Sequence, residues 1–170
     1  VPINSVSTYL VDLLNGLPLP GPAGAEGNLA AFITPPDPGT LTVPTAYLWP
    51  ISGEEKRLTS PRAGGPNVIR PGWKHIIHKV PLFLAWVGLA SDPTADTNFA
   101  AVIDAIMAVL RPSPDEVEIT DPVTGQITSL ILGIGEELSY EYSVVHSLAD
   151  QRLLRYDCRL TITAEEYFQS

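Results

Sequence analysis

The sequence predicts an α+β domain: a mostly antiparallel sheet with helices packed on one face, and a long extended loop. Three observations predict it. In Trp73–Val87 the even positions Ile76, Val80, Leu82, Leu84 and Trp86 share one face at period two, as in a strand with a strongly apolar side. In Asn98–Arg111, Phe99, Val102, Ile103, Ile106 and Leu110 recur at spacings of three and four, the stripe of a helix. Near the end, Leu154, Tyr156, Cys158, Leu160 and Ile162 alternate with Arg155, Asp157, Arg159, Thr161 and Thr163, the pattern of a half-buried strand. A chain of 170 residues, 45% hydrophobic, fits one domain over 1–170 with a real core.

The other elements follow in order. Val6, Leu10, Leu13, Leu14 and Leu17 form one stripe, so Ser5–Asn15 reads as a short packing helix, stopped at Gly16. The Pro-rich stretch over 18–40 reads as loop, with Leu29–Ile33 as its one short strand. Val43–Trp49 reads as an edge strand or a strand start because of Pro44, with Val43, Tyr47, Trp49 and Ile51 on one face. Ser52–Gly72 shows no periodicity and reads as a long loop, either solvated or a contact arm. Pro81 removes a ladder donor, which predicts an edge position or a bulge there. Asp96 or Thr97 is the expected N-cap of the second helix, and Pro112 its stop. The back of that helix is Ala100, Ala101, Ala105, Met107 and Ala108, with Asp104 its one charge, so cover on both sides is expected. Glu116–Thr120 and Gln126–Leu130 flank Asp121-Pro-Val-Thr-Gly125 as a hairpin. Its second arm continues to Val145, with a bend or bulge at Gly133 and Gly135. Leu130, Leu132, Ile134, Leu138, Tyr140, Tyr142 and Val144 are its apolar face.

The charge balance, 10 basic against 19 acidic residues for a net −9, argues against a nucleic-acid-gripping surface. One cysteine, Cys158, excludes an internal disulfide framework and suits a reducing cytoplasm. It points to the core by parity and is expected to be inert. No basic region followed by an apolar core opens the chain, so no signal peptide is expected, and no apolar run is long enough to span a bilayer.

His75 and His78 are three apart on a strand and so face opposite ways, which denies them a shared metal. Gly133-Ile-Gly135 lacks the Lys-Ser/Thr and the following helix of a phosphate loop. No serine sits in a nucleophile elbow. No catalytic residue, metal or organic cofactor is expected, and the chain does not read as an enzyme.

Lys79-Val-Pro-Leu-Phe-Leu-Ala-Trp86, an acidic turn, the Phe99–Arg111 helix, Ile119-Thr-Asp-Pro-Val-Thr-Gly125 and a closing pair of strands form one ordered series. In that order, and in its N-terminal helix and long central loop, the chain resembles tail terminator (tail completion) proteins of long-tailed bacteriophages. The resemblance transfers no single functional residue. It implies a virion protein of the phage neck, assembled in the host cytoplasm. It further implies a self-associating ring, six-fold in that family, that caps the tail tube and meets the head-tail connector, with DNA passing through its lumen. On that reading Lys56, Arg57, Arg62 and Arg70 form a locally basic arm, and Glu137 and Glu141 form an acidic strand face on the next subunit. Ala101, Ala105 and Ala108 offer a helix surface for subunit contact. Another neck or tail component, a connector or tail-tube subunit, would share these features. A small monomeric hydrolase and a loop-based binding module are the expectations from other classes.

Overall fold

The computed structural model describes residues 2–20, 26–37, 44–48, 52–57, 72–111, 116–134, 138–146 and 152–169. They form a mixed α/β fold with two helices and a curled, mostly antiparallel sheet. Its spine is a pair of 17-residue strands, β6 (Trp73–Leu89) and β10 (Leu153–Gln169). They pair antiparallel along their whole length, from Trp73 opposite Gln169 to Leu89 opposite Leu153.

Each side of this spine carries two shorter strands end to end. On the β6 side, β4 (Thr45–Leu48) pairs with Leu82–Ala85, and β5 (Ser52–Arg57) pairs with Lys74–Lys79. On the β10 side, β9 (Leu138–His146) pairs with Leu154–Ile162, and β8 (Ile127–Leu132) pairs with Glu165–Phe168. The outermost strands are β3 (Ala30–Phe32), parallel to β4, and β7 (Glu116–Thr120), antiparallel to β8. A separate two-stranded ribbon joins β1 (Pro18–Pro20) to β2 (Glu26–Asn28).

Pro81 does not lie on an edge strand, because β6 is central and its register with β10 is continuous. Its missing donor falls instead where the flanking ladder changes from β4 to β5. Those two ladders differ in register by one residue. On the other flank the break falls at Gly133, whose φ of 63° is the left-handed region that glycine tolerates. There the register on β10 moves by three residues between β8 and β9. The expected single long arm is therefore two strands.

Helix α1 (Pro2–Leu14) buries Val6, Leu10 and Leu14 completely. It ends at Gly16, whose φ is 81°. Helix α2 (Ala95–Leu110) buries Phe99, Val102, Ile103, Ile106 and Leu110, each at most 4% exposed. Burial of such side chains is worth about 1.5–3 kcal/mol each, which is the main term docking this helix. Its N-cap is Thr94 rather than Asp96 or Thr97. Asp92 Oδ1 accepts from the Thr94 amide and hydroxyl, which builds the turn before the helix. Asp96 is used elsewhere: the Tyr156 hydroxyl donates to it at 2.6 Å.

One cluster unites both helices with Val80, Leu82, Leu84 and Trp86 of β6 and Tyr156, Cys158, Leu160 and Ile162 of β10. At its centre Trp86 meets Tyr156 edge-on with ring centroids 5.2 Å apart, and Phe99 lies 4.8 Å from Tyr156. The Trp86 indole donates to the Pro20 carbonyl at 2.9 Å and ties the β1–β2 ribbon to the core. A second, smaller cluster of Trp73, Leu130 and Tyr167 sits at the far end of the sheet.

Other expectations are corrected here. Residues 18–37 contain β1 and β2 as well as β3, because backbone pairing closes a ribbon that side-chain pattern does not signal. In β4 the core face is Ala46 and Leu48, not the face of Tyr47; Val43, Trp49 and Ile51 lie outside the described residues. The supposedly structureless 52–72 begins with strand β5, and 58–71 lie outside the described residues.

Candidate functional site

Two cross-strand rows measure the sheet from edge to edge. Ala31, Ala46, Leu84, Cys158 and Tyr142 stand opposite one another in turn. The first four members are at most 9% exposed, but Tyr142 is 60% exposed. The neighbouring row is Phe32, Tyr47, Phe83, Arg159 and Glu141. At about 4.8 Å per strand spacing, each row spans roughly 19 Å.

The first row ends on an uncovered apolar strip. Tyr140, Tyr142 and Val144 of β9 share the face of Leu160, Cys158 and Tyr156 in the core, yet are 50%, 60% and 42% exposed. The period-two reading placed them on the correct face. Their burial fails because β9 has its only strand neighbour in β10 among the described residues, and α2 leaves an open groove beside it. That groove, about 200 Å³, is lined by Phe99, Ala100, Ile103 and Asp104 of α2 against Tyr140 and Tyr142. Tyr142 meets Phe99 edge-on at 5.7 Å. The back of α2 is also bare within this chain: Ala100, Ala101 and Ala108 are exposed, Ala105 is half-buried, and only Met107 is covered.

The strand carries few of the usual protections of an edge. Its nine residues contain no proline and no lysine, keep a continuous register with β10, and hold one acidic residue, Glu141. At the opposite edge, Phe32 and Ile33 are 40% and 46% exposed.

The other face of the sheet carries a concavity of about 630 Å³ between Pro35–Pro36 and β9. Tyr47 stacks on Phe83 with centroids 5.4 Å apart, and the Arg159 guanidinium lies 5.8 Å from the Phe83 ring. Arg155 donates to Asp157 at 2.8 Å. Two cations, Arg155 and Arg159, balance Asp157 and Glu141 on this surface, so its charge is near neutral among aromatic and proline side chains.

The predicted charged contact residues that are described, Lys56, Arg57 and Glu141, are not brought together within one chain. Lys56 and Arg57 occupy β5 opposite His75 and Lys74, on one side of the spine. Glu141 is exposed on β9, on the other. Arg62, Arg70 and Glu137 lie outside the described residues.

The two histidines do face opposite ways, and each meets its own glutamate across β6–β10. His75 lies 3.0 Å from Glu165 and stacks on Tyr167 at 4.4 Å. His78 is buried, with its Nε2 donating to Glu166 at 2.8 Å. Ser129 donates from the other side to the same fully buried carboxyl group. This serine–glutamate–histidine series places a carboxyl group where acyl-transfer triads need an imidazole, so it does not activate the serine. The sequence signals none of it, since Glu166 lies 88 residues from its histidine.

Burial pushes the Cys158 thiol up to about 11, so it is a core residue and a poor nucleophile. Burial first, then the hydrogen bond to Asp96 and the charges of Asp96 and Asp92, hold the Tyr156 phenol well above its ordinary value. Among the described residues no group of three or more His, Cys, Asp or Glu side chains is placed to hold a metal ion. No described helix is long and apolar enough to cross a membrane. No family model matches the chain, and no curated protein matches it.

Proposed function

We propose that this chain is a structural subunit of a phage neck, a tail terminator that assembles as a ring on the tail tube beneath the head-tail connector. The single observation that carries the reading is the uncovered apolar edge, Tyr140, Tyr142 and Val144 beside the bare alanines of α2. A contiguous exposed apolar surface on an edge strand with few protections marks an association site. Ring symmetry supplies cover from neighbouring copies. In this reading both helices lie on one face of the sheet, which leaves the other face free to meet lumen or tail. The net charge of −9 lets DNA pass without tight phosphate contacts. Lys56, Arg57, Arg62 and Arg70 against Glu137 and Glu141 set register and encounter rate, as individually weak pairs of roughly 0–1 kcal/mol. No catalytic step belongs to this function, and no cofactor is needed.

Native mass spectrometry of the chain, alone and with purified tail tubes, tests the reading. The expected mass is a multiple of 18.3 kDa in at least one condition. A monomer in both conditions sinks it.

A further inference from the structure

We propose that the groove between α2 and β9 receives an arginine or lysine side chain from a basic segment of a second protein. The proposal rests on the reading of this edge as an association surface, and it names what that surface recognises. Three observations carry it. First, the groove is aromatic. Tyr140 and Tyr142 form one wall, and Phe99 and Tyr156 lie in the floor with Ile103. The floor rings are at most 1% exposed and firmly packed, while the two wall tyrosines stand open. Aromatic ring faces attract cations, arginine above all. Second, every charged residue lining the groove is acidic. Asp96, Ala100 and Asp104 follow one another at one-turn intervals along α2, which spaces the two aspartates about 12 Å apart. Helix α2 holds no lysine, arginine or histidine to offset them. Third, the groove is small. At about 200 Å³ it falls below the roughly 300–1,000 Å³ of organic-ligand sites, so it suits one side chain rather than a cofactor.

Arginine and lysine match both halves of this chemistry. Their aliphatic stems cover apolar surface such as Ala100 and Ile103, and their charged heads reach a carboxylate at the rim. A second copy is a poor source of that side chain. Each copy carries a net −9, so two copies repel. Two of its sheet cations are also engaged already, Arg155 with Asp157 and Arg159 over the Phe83 ring. Charge complementarity therefore selects a different, basic chain. Neighbouring copies in a ring can still pack on the outer side of β9, beyond the groove.

The probe is N-acetyl-arginine amide, titrated into the whole chain and followed by NMR shifts at Ala100, Tyr140 and Tyr142. N-acetyl-citrulline amide has nearly the same shape without the charge. Arginine amide should move and saturate these signals, and the citrulline compound should bind on the order of tenfold more weakly. Asp104→Asn and Tyr142→Leu should each weaken arginine binding about two- to fivefold, with the thermal transition retained. Tyr142→Phe keeps the ring that packs on Phe99 and should bind as the wild type does. Equal affinity for the two amides overturns the proposal, because the groove would then read shape alone. Shifts spread over acidic positions elsewhere, such as the exposed Glu118, also overturn it. So does the absence of binding, including the case in which a second copy fills the groove. A ring mass without arginine preference overturns this proposal and leaves the ring reading standing. Arginine preference in a chain that stays at 18.3 kDa, alone and with tail tubes, sinks the ring and upholds the groove's chemistry.

Discussion

Glu166 is the most informative position for testing how the core is held together. Its carboxyl group is fully buried and accepts from His78 Nε2 at 2.8 Å and from Ser129 Oγ. Neither donor has a water route, since His78 is 1% and Ser129 5% exposed. The Nδ1 of His78 has no partner among the described residues, so its ring depends on the one bond. Glu166→Ala strands both donors, at about 1–3 kcal/mol each, so a loss of about 2–6 kcal/mol follows before any cavity is counted. For a domain of this size 1 kcal/mol is about 2–4 °C, so the melting temperature should fall by on the order of 10 °C. Glu166→Gln is expected to behave differently. An amide oxygen can accept from His78 while the amide NH₂ donates to Ser129, which keeps both buried groups satisfied at nearly constant volume. Its cost should be about 1 kcal/mol or less. Urea unfolding of the three proteins, read as midpoints at unchanged slope, measures both losses. Equal losses for alanine and glutamine would refute the reasoning, because hydrogen-bond satisfaction would then not be what holds the site.

Other outcomes follow from the same packing. Gly88→Ala should cost about 1–3 kcal/mol by overpacking, since an added Cβ would stand 2.9 Å from the Trp86 ring and 3.2 Å from Tyr156; urea midpoints measure it. Raising pH should weaken the fold through Cys158, whose folded value of about 11 lies above its ordinary 9.0: its contribution is present below pH 9 and lost as pH rises through 11. Cys158→Ala should remove that part of the alkaline slope in pH-dependent unfolding, which amounts to roughly 1.4 kcal/mol for each pH unit separating the folded and unfolded values. Tyr156→Phe deletes the 2.6 Å bond to Asp96, which is exposed and can turn to water, so a loss of about 1 kcal/mol is expected in the same assay.

Periodicity made the spine legible. The alternations in Ile76–Trp86 and Tyr156–Ile162 name the residues that the β6–β10 pair buries, and the stripe of α2 names its docked face. Those signals are local, and the elements they describe are long. The strands missed from sequence, β1, β2 and β5, are three to six residues long and owe their existence to partners. Pro81 pointed to an edge or an irregular ladder, and the irregularity lies on the β4–β5 flank, where the two registers differ by one residue. Proline excludes a donor at one point of one ladder, and a central strand whose neighbour changes there loses nothing. The glutamates diagonal to the histidines were invisible because cross-strand neighbours come from register, and register between strands far apart in the chain is not written in either strand alone.

The exposed tyrosines show the limit of the same logic in a productive way. Period two says which face a side chain joins, and Tyr140 and Tyr142 do join the face of Leu160 and Cys158. It does not say how far the cover over that face extends. On β6 and β10 the cover is complete, with Leu84, Cys158 and Leu160 at most 2% exposed, and one strand further out Tyr142 rises to 60%. A sequence that keeps core chemistry one strand beyond its own cover exposes apolar area at roughly 25 cal/mol per Å² relative to burial. A polar strand would make a safer edge. The mismatch between a core-like pattern and an uncovered position is what supports the proposed association, and it puts the uncovered apolar area on the outer side of β9.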